Sequence, residues 1–291
     1  MKHRGIINSC KHTHTIPIGI VTRERHQYLD LTLRSLSASD LPENQILVVY
    51  DDCSNAKHTK RYLYTDKKVD VRCELPRDDM WKAMGLHDVY SKASSQGLKG
   101  KVAVRCVGDK PVGVMNASCR AIRRLWADHK DLVDKHGLVL IQDDVVFNPD
   151  WMSRIESAIT RTRKSRPPLG MLCGMRLNTP LKGVKPNPFL IRTRGVTAQC
   201  YYLSPAGLAA TSNFTSNWHK ARQGFDNKMC ARIRSNGTSV YLMQPAVCQH
   251  IGIVSMVRPK WAWRWKSKKG RVGYQSRGPF PLAAEVRHFE A

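Results

Sequence analysis

The stretch GLVLIQDDVVFNPDW, residues 137–151, decides the fold class. Gly137 to Ile141 is a short apolar run that reads as a strand buried in a sheet. It runs into Gln142 and two adjacent acids, Asp143 and Asp144. Asn148, Pro149 and Asp150 then carry the capping residue and early proline that open a helix, expected to run to about Arg163. Strand followed by helix is the unit of an α/β sheet, and in open sheets of that class ligands bind beyond the carboxyl ends of the strands. Asp143 and Asp144 therefore stand where a ligand site is expected. Adjacent carboxylates repel unless a cation or strong hydrogen bonds compensate, and carboxylate oxygens suit hard divalent cations. One of the two acids could instead cap the next helix, but Asn148 or Asp150 already fills that role.

Working outward, Ile16–Val21 reads as a buried strand, followed by the polar loop Thr22, Arg23, Glu24 and Arg25. Tyr28, Leu29, Leu31, Leu33 and Leu36 predict a helix, and Gln45–Tyr50 predicts a second strand that ends in Asp51 and Asp52. A helix is expected near Lys57–Tyr64, a third strand over Lys101–Val107 and a helix over Val114–His129. In the second half, Leu169–Met175, Val196–Leu203 and Ser239–Met243 predict strands. Pro205–Thr211 and Phe225–Ser235 predict helices, the latter stopped by Asn236-Gly237. The order predicts an α/β fold.

The chain has 291 residues, 42% of them hydrophobic, which suits a globular protein with a sizeable core. No run approaches the roughly 18 apolar residues of a membrane span. Met1–Thr15 is polar and rich in His and Lys, so a flexible tail (1–15) and no secretory signal are expected. The nine cysteines are scattered, with no CxxC pair, which predicts reduced thiols and a cytoplasmic setting. Cys10, His12 and His14 read more plainly as a solvated tail than as a metal site. The sequons at Asn116, Asn213 and Asn236 carry no weight in that setting. Lys and Arg total 48 against 23 acids, a formal charge of +25. A diphosphate needs only about two or three cations, so the surplus predicts a polyanionic partner: nucleic acid, an anionic membrane or an acidic polysaccharide.

With the arginine-bearing loop after the first strand, the acids after the second and QDDVVFNPDW after a buried strand, the chain resembles the GT-A glycosyltransferases from about Ile16 to Val257. The adjacent acids are similar to those of the N-acetylglucosaminyltransferase I-like enzymes and depart from the usual Asp-x-Asp spelling. The resemblance implies a Rossmann-like mixed central sheet flanked by helices. It divides residues 16–257 into a nucleotide-sugar half (16–147) and an acceptor half (148–257). It also implies transfer from a UDP-sugar donor, by the inverting course commoner in that family, with Mn2+ or Mg2+ as cofactor. Asp144 would be the principal metal ligand and Asp143 would touch the ribose or a metal-bound water. Thr22, Arg23 and Arg25 would seat the nucleotide, Asp51 or Asp52 would meet the base, and Asn116 in GVMNAS would reach the donor. GFDNKMCARIRSNG resembles the acceptor-side motif and makes Asp226 the candidate general base, although an acid there is also a good helix cap. PAVCQHIGIVS resembles the closing metal motif, with His250 as a further contact to the metal or diphosphate and Arg258 covering the leaving group.

The C-terminal extension, 258–291, is basic. Lys260, Arg264, Lys266, Lys268, Lys269 and Arg271 interleave with Trp261, Trp263 and Trp265, and alternation in an extended strand would put indoles on one face and cations on the other. Bases stack on indoles while phosphates meet cations, which suits nucleic acid; Trp beside Lys and Arg also suits a membrane surface. Arg154, Arg161, Arg163, Lys164 and Arg166 form a second basic group, and Lys182, Lys185, Arg192 and Arg194 a third. The combination is similar to virus-encoded (bacteriophage) transferases that glycosylate hydroxymethylated pyrimidines such as 5-hydroxymethylcytosine, which makes DNA the expected acceptor. Other readings are a transferase for surface polysaccharide at the membrane, a non-catalytic nucleic-acid-binding protein on the same scaffold, and a metal nuclease.

Overall fold

The computed structural model describes residues 15–23, 26–42, 44–52, 102–107, 112–174, 190–196, 199–217, 225–244 and 246–250. In chain order the elements are β1 (Ile18–Thr22), α1 (His26–Ser37), β2 (Leu47–Asp51), β3 (Val102–Cys106), α2 (Val114–Asp128), α3 (Lys130–His136), β4 (Leu138–Gln142) and β5 (Val145–Phe147). They continue with α4 (Trp151–Thr162), β6 (Leu169–Cys173), β7 (Leu190–Arg192), β8 (Cys200–Leu203), α5 (Pro205–Asn217), α6 (Phe225–Ser235), β9 (Ser239–Met243) and β10 (Cys248–His250).

Eight strands form one mixed sheet in the order β3-β2-β1-β4-β8-β6-β9-β7. β3, β2, β1 and β4 run parallel, β8 is antiparallel to both β4 and β6, β9 is parallel to β6, and β7 closes the far edge antiparallel to β9. This is the α/β class that the order of elements predicts, with the mixed central sheet flanked by helices that the resemblance implies. The β4–β8 pairing joins the strands of the first half to those of the second.

Period-two alternation sorts the strand side chains into two cores. Ile18, Ile20, Leu47, Val49, Val139 and Ile141 point to one face and pack with Leu29 and Leu36 of α1 and Trp151, Met152 and Ile155 of α4. Val21, Val48, Tyr50, Leu138 and Leu140 point to the other, against Ala117, Ile122 and Leu125 of α2, Val133 of α3, Leu208 of α5 and Met229 and Ile233 of α6. Strands buried on both faces need apolar residues at every position, which is why GLVLI shows no polar alternation. α2 lies close over β1 at Gly19, where an added Cβ would come within 3.1 Å of Leu140 and 3.4 Å of Leu125.

Several expectations are corrected. Neither Asn148 nor Asp150 caps α4 with its side chain. Asp150 sits at the N-cap without a side-chain cap bond and pairs with Arg154 one turn on. The cap comes from Asp40, beyond the end of α1, whose carboxylate accepts the backbone N–H groups of Met152 (3.0 Å) and Ser153 (2.8 Å). The Val114–His129 helix ends at Asp128, and a separate helix, α3, follows because His129 leaves helical geometry (φ −131). The helix starting at Pro205 continues to Asn217, past the expected Thr211. The three-residue strands β5, β7 and β10 carry no periodic signal and were not expected. Gly237, at φ 73, stops α6 as expected. The expected helix near Lys57–Tyr64, the first 14 residues and the extension from Arg258 fall outside the described residues.

Candidate active site

β4 delivers its acids in a tied turn. Asp143 N–H donates to the Val21 carbonyl at 3.1 Å, so the β1–β4 ladder carries on past the last strand residue. Thr22 Oγ1 donates to Asp143 Oδ2 at 2.8 Å. From α1, the Thr32 hydroxyl donates to the Asp143 carbonyl at 2.8 Å and accepts the Val145 N–H at 3.2 Å. Asp143 and Asp144 are each 3% exposed. Burial of two carboxylates is costly unless their charge is compensated, and the Thr22 hydroxyl does part of that for Asp143.

Asp144 is answered from the far end of the described chain. β5 leaves the acid turn and pairs antiparallel with β10 in a two-stranded sheet, with His250 opposite Val145. That register sets His250 Nε2 at 2.9 Å from Asp144 Oδ2. With the carboxylate ionised, Nε2 is the donor. Among the described residues no group of three or more His, Cys, Asp and Glu side chains converges as a metal cluster; Asp144 and His250 offer two ligands. Their 2.9 Å separation is that of a direct hydrogen bond and also close to the ~3 Å between adjacent ligands of an octahedral ion, so a divalent cation would take the place of the Nε2 proton between them.

At the end of β2, Asp51 and Asp52 are buried, at 0% and 1% exposure. Asp52 Oδ1 accepts the Val112 N–H and its Oδ2 the Gly113 N–H, both at 2.8 Å. Gly113 is the N-cap position of α2, adopts φ 82 and makes no side-chain cap bond; Asp52 holds the two residues that lead into the helix, Val112 and Gly113. Each oxygen of Asp52 thus accepts one N–H from the segment that leads into α2, which ties that segment to the end of β2. Asn116, in the first turn of α2, donates its amide to the Val112 carbonyl at 3.0 Å. Arg23 is half-buried beside β1, and its Nε is buried with no hydrogen-bond partner among the described residues.

Asp226 lies inside the first turn of α6, which starts at Phe225, and so is not the N-cap; its charge still meets the positive end of the helix. Its neighbour across the core is Tyr201, which pairs with Leu140 on β4. Burial first, then the Cys119 thiol and the Asp226 carboxylate, hold the Tyr201 phenol well above the usual range. Arg25, Arg258, Lys260, Trp261, Trp263, Arg264, Trp265, Lys266, Lys268, Lys269 and Arg271 lie outside the described residues. Thr32 and Asp40 were not anticipated. Thr32 and Ser35 are the polar residues on the buried face of α1 that Tyr28, Leu29 and Leu36 mark out.

No family model and no curated protein matches the sequence. Among solved structures the chain is similar to TarS of S. aureus, with 12% identity and a TM-score of 0.46 over 80% of this chain and 36% of TarS. It is similar to TarS 1-349 in complex with UDP (12% identity, TM-score 0.44, 80% of this chain and 59% of that one). It is also similar to the mannosyltransferase PcManGT of Pyrobaculum calidifontis in complex with GDP-Man and Mn2+ (11% identity, TM-score 0.49, 94% and 69%). The chain spans 36% to 59% of the TarS chains it matches. Among the described residues no helix is long and apolar enough to cross a membrane.

Proposed function

We propose that the protein is a metal-dependent GT-A glycosyltransferase that moves a sugar from a UDP-sugar to a hydroxyl on a polyanionic acceptor, 5-hydroxymethylpyrimidine in DNA. The observation that carries this reading is the acid turn beyond β4, with Asp144 against His250 and Asp143 held by Thr22 and Thr32. A buried carboxylate beside an imidazole, at the carboxyl edge of a mixed sheet, is a fitting seat for a divalent ion and the diphosphate it accompanies. When bound, Mn2+ or Mg2+ would neutralise charge building on the departing diphosphate.

The chain's own residues divide the remaining work. Asp144 and His250 would hold the ion. Asp143, fixed at one oxygen by Thr22, would orient the ribose side of the donor. Arg23 would offer its guanidinium to phosphate, together with Arg25 and Arg258. Asp51 would lie toward the base, while Asp52 sets the loop that carries Asn116. Asp226 would accept the proton of the acceptor hydroxyl, the step an inverting transfer requires. The +25 charge supports the polyanionic acceptor, with the Trp-rich basic extension as its second contact. In domain terms, 16–147 would serve the donor and 148–257 the acceptor.

The test is direct. Hydroxymethylated DNA is incubated with a panel of sugar nucleotides and Mn2+ or Mg2+, then digested to nucleosides for mass spectrometry. A hexose-sized mass increase on the modified pyrimidine, absent with EDTA, is expected. Metal-dependent donor hydrolysis without DNA product would keep the transferase and discard the acceptor; neither signal would discard both.

A further inference from the structure

We infer that the sheet edge opposite the acid turn is a second site, a phosphate-backbone docking patch for double-stranded nucleic acid. β6 and β9 run parallel, with Leu169 opposite Ser239, so the segments leading into them lie side by side. Ser239 N–H donates to the Pro168 carbonyl at 2.8 Å, which ties these two segments together. The segment before β6 follows α4 and carries Arg163, Lys164 and Arg166; the segment before β9 follows α6, whose last turn carries Arg232 and Arg234. All five side chains are exposed, and none has an ion-pair partner among the described residues. A helix C-terminus favours about one or two cations through its dipole. Five on two adjoining ends, with no acid in either connecting segment, exceed that.

The residues between the cations select the partner. Ser165, Pro167, Pro168, Ser235, Asn236 and Gly237 fill the two segments, and Ile233 is buried. Among the described residues of these two segments no exposed aromatic or large aliphatic side chain is available to enter a lipid interface, which peripheral membrane surfaces use in addition to charge. Cations set among small polar residues suit phosphate contacts that position a duplex without reading its sequence.

The patch is separate from the acid turn. Through β8, Leu138 of β4 stands level with Met171 of β6, so the start of β6 and the turn after Gln142 are roughly 20 Å apart along the strands at ~3.3 Å per residue. A duplex held at this edge is therefore anchored away from the reacting centre. The inference concerns binding alone and stands or falls independently of the transfer reaction.

Fluorescence anisotropy of the full chain with a labelled duplex of about 20 base pairs, across about 50–200 mM salt, tests it. The variants are R163Q/K164Q/R166Q and R232Q/R234Q, with R123Q/R124Q on the exposed face of α2 as a charge-matched comparison. The triple variant is expected to lose affinity by about tenfold or more, with the log–log salt slope falling by about 2 to 3. The double variant is expected to lower the slope by about 1 to 2, and the comparison by less than either. Unchanged slopes in both patch variants would overturn the proposal. So would an equal change in R123Q/R124Q, or a patch dependence seen with phosphatidylserine vesicles and not with duplex. Circular dichroism on each variant confirms folding, and either patch variant alone suffices if the other does not fold.

Discussion

Thr32 Oγ1 donates to the main-chain carbonyl of Asp143 at 2.8 Å, across 111 residues of sequence. The same hydroxyl accepts the Val145 N–H, so one buried side chain on α1 clasps both sides of the acid turn. A turn that presents two carboxylates in a tight space would otherwise relax to separate them. Thr32 is thus a positioning residue for Asp144.

Replacing Thr32 with Val keeps the shape and removes the hydroxyl, leaving a buried carbonyl and a buried N–H without their partner. The expected cost is about 1–3 kcal/mol of stability, read as a lower urea midpoint. The Mn2+ concentration for half-maximal donor hydrolysis should rise as well, and Thr32→Ser should restore both. A Val variant with wild-type metal dependence would reduce Thr32 to a purely structural part.

Asp144→Asn preserves volume and removes the charge that faces His250. Activity should fall at least ~100-fold, as for loss of a principal metal ligand, with the melting temperature little changed. Titration with Mn2+ followed by calorimetry separates lost ion binding from lost chemistry; full ion affinity in the variant would remove Asp144 from the metal site.

Asp226→Asn should lower transfer by roughly 10²–10⁴-fold, the usual contribution of a general base, while donor binding measured by UDP fluorescence competition stays intact. Unaltered transfer rates would leave Asp226 with only its place in the first turn of α6.

Buried thiols and phenols predict alkaline sensitivity. Burial pushes the Cys119 thiol up to about 12 and the Cys230 thiol up to about 11, from 9.0. Tyr50 and Tyr202 are pushed up by burial too. In each case the fold favours the neutral form, and the unfolded chain ionises first. The stability these groups contribute is complete below about pH 9 and is lost as pH rises toward about 12. Urea midpoints measured from about pH 8 upward should fall across that window, and iodoacetamide at about pH 8 should spare Cys119 and Cys230 in the native protein. A flat profile above pH 9 would contradict the burial of these groups.

Much of the fold was legible because strand and helix signals are local. GLVLI, QILVVY and the pattern from Val114 each encode their own element, and the place of the adjacent acids just beyond a buried strand follows from the same local pattern. β5 and β10 were illegible because three residues carry no period. α3 was not read because its seven residues, Lys130–His136, bury only Val133 and so carry no apolar period. Asp40 escaped notice as the cap of α4 since nearer candidates, Asn148 and Asp150, had the right chemistry at the right place.

By itself the sequence determined the α/β class, the two-faced burial of the central strands, the excess of cations and the identity of the acids at the end of β4. Tertiary structure alone decided what those acids touch. Asp144 meets His250 across 106 residues and Asp143 meets Thr22 across 121; Asp52 closes on the head of α2 at a separation of 61. Periodicity records which way a side chain faces relative to its own element. Partnership depends on strand order and register, which long-range pairing fixes only when the whole sheet assembles.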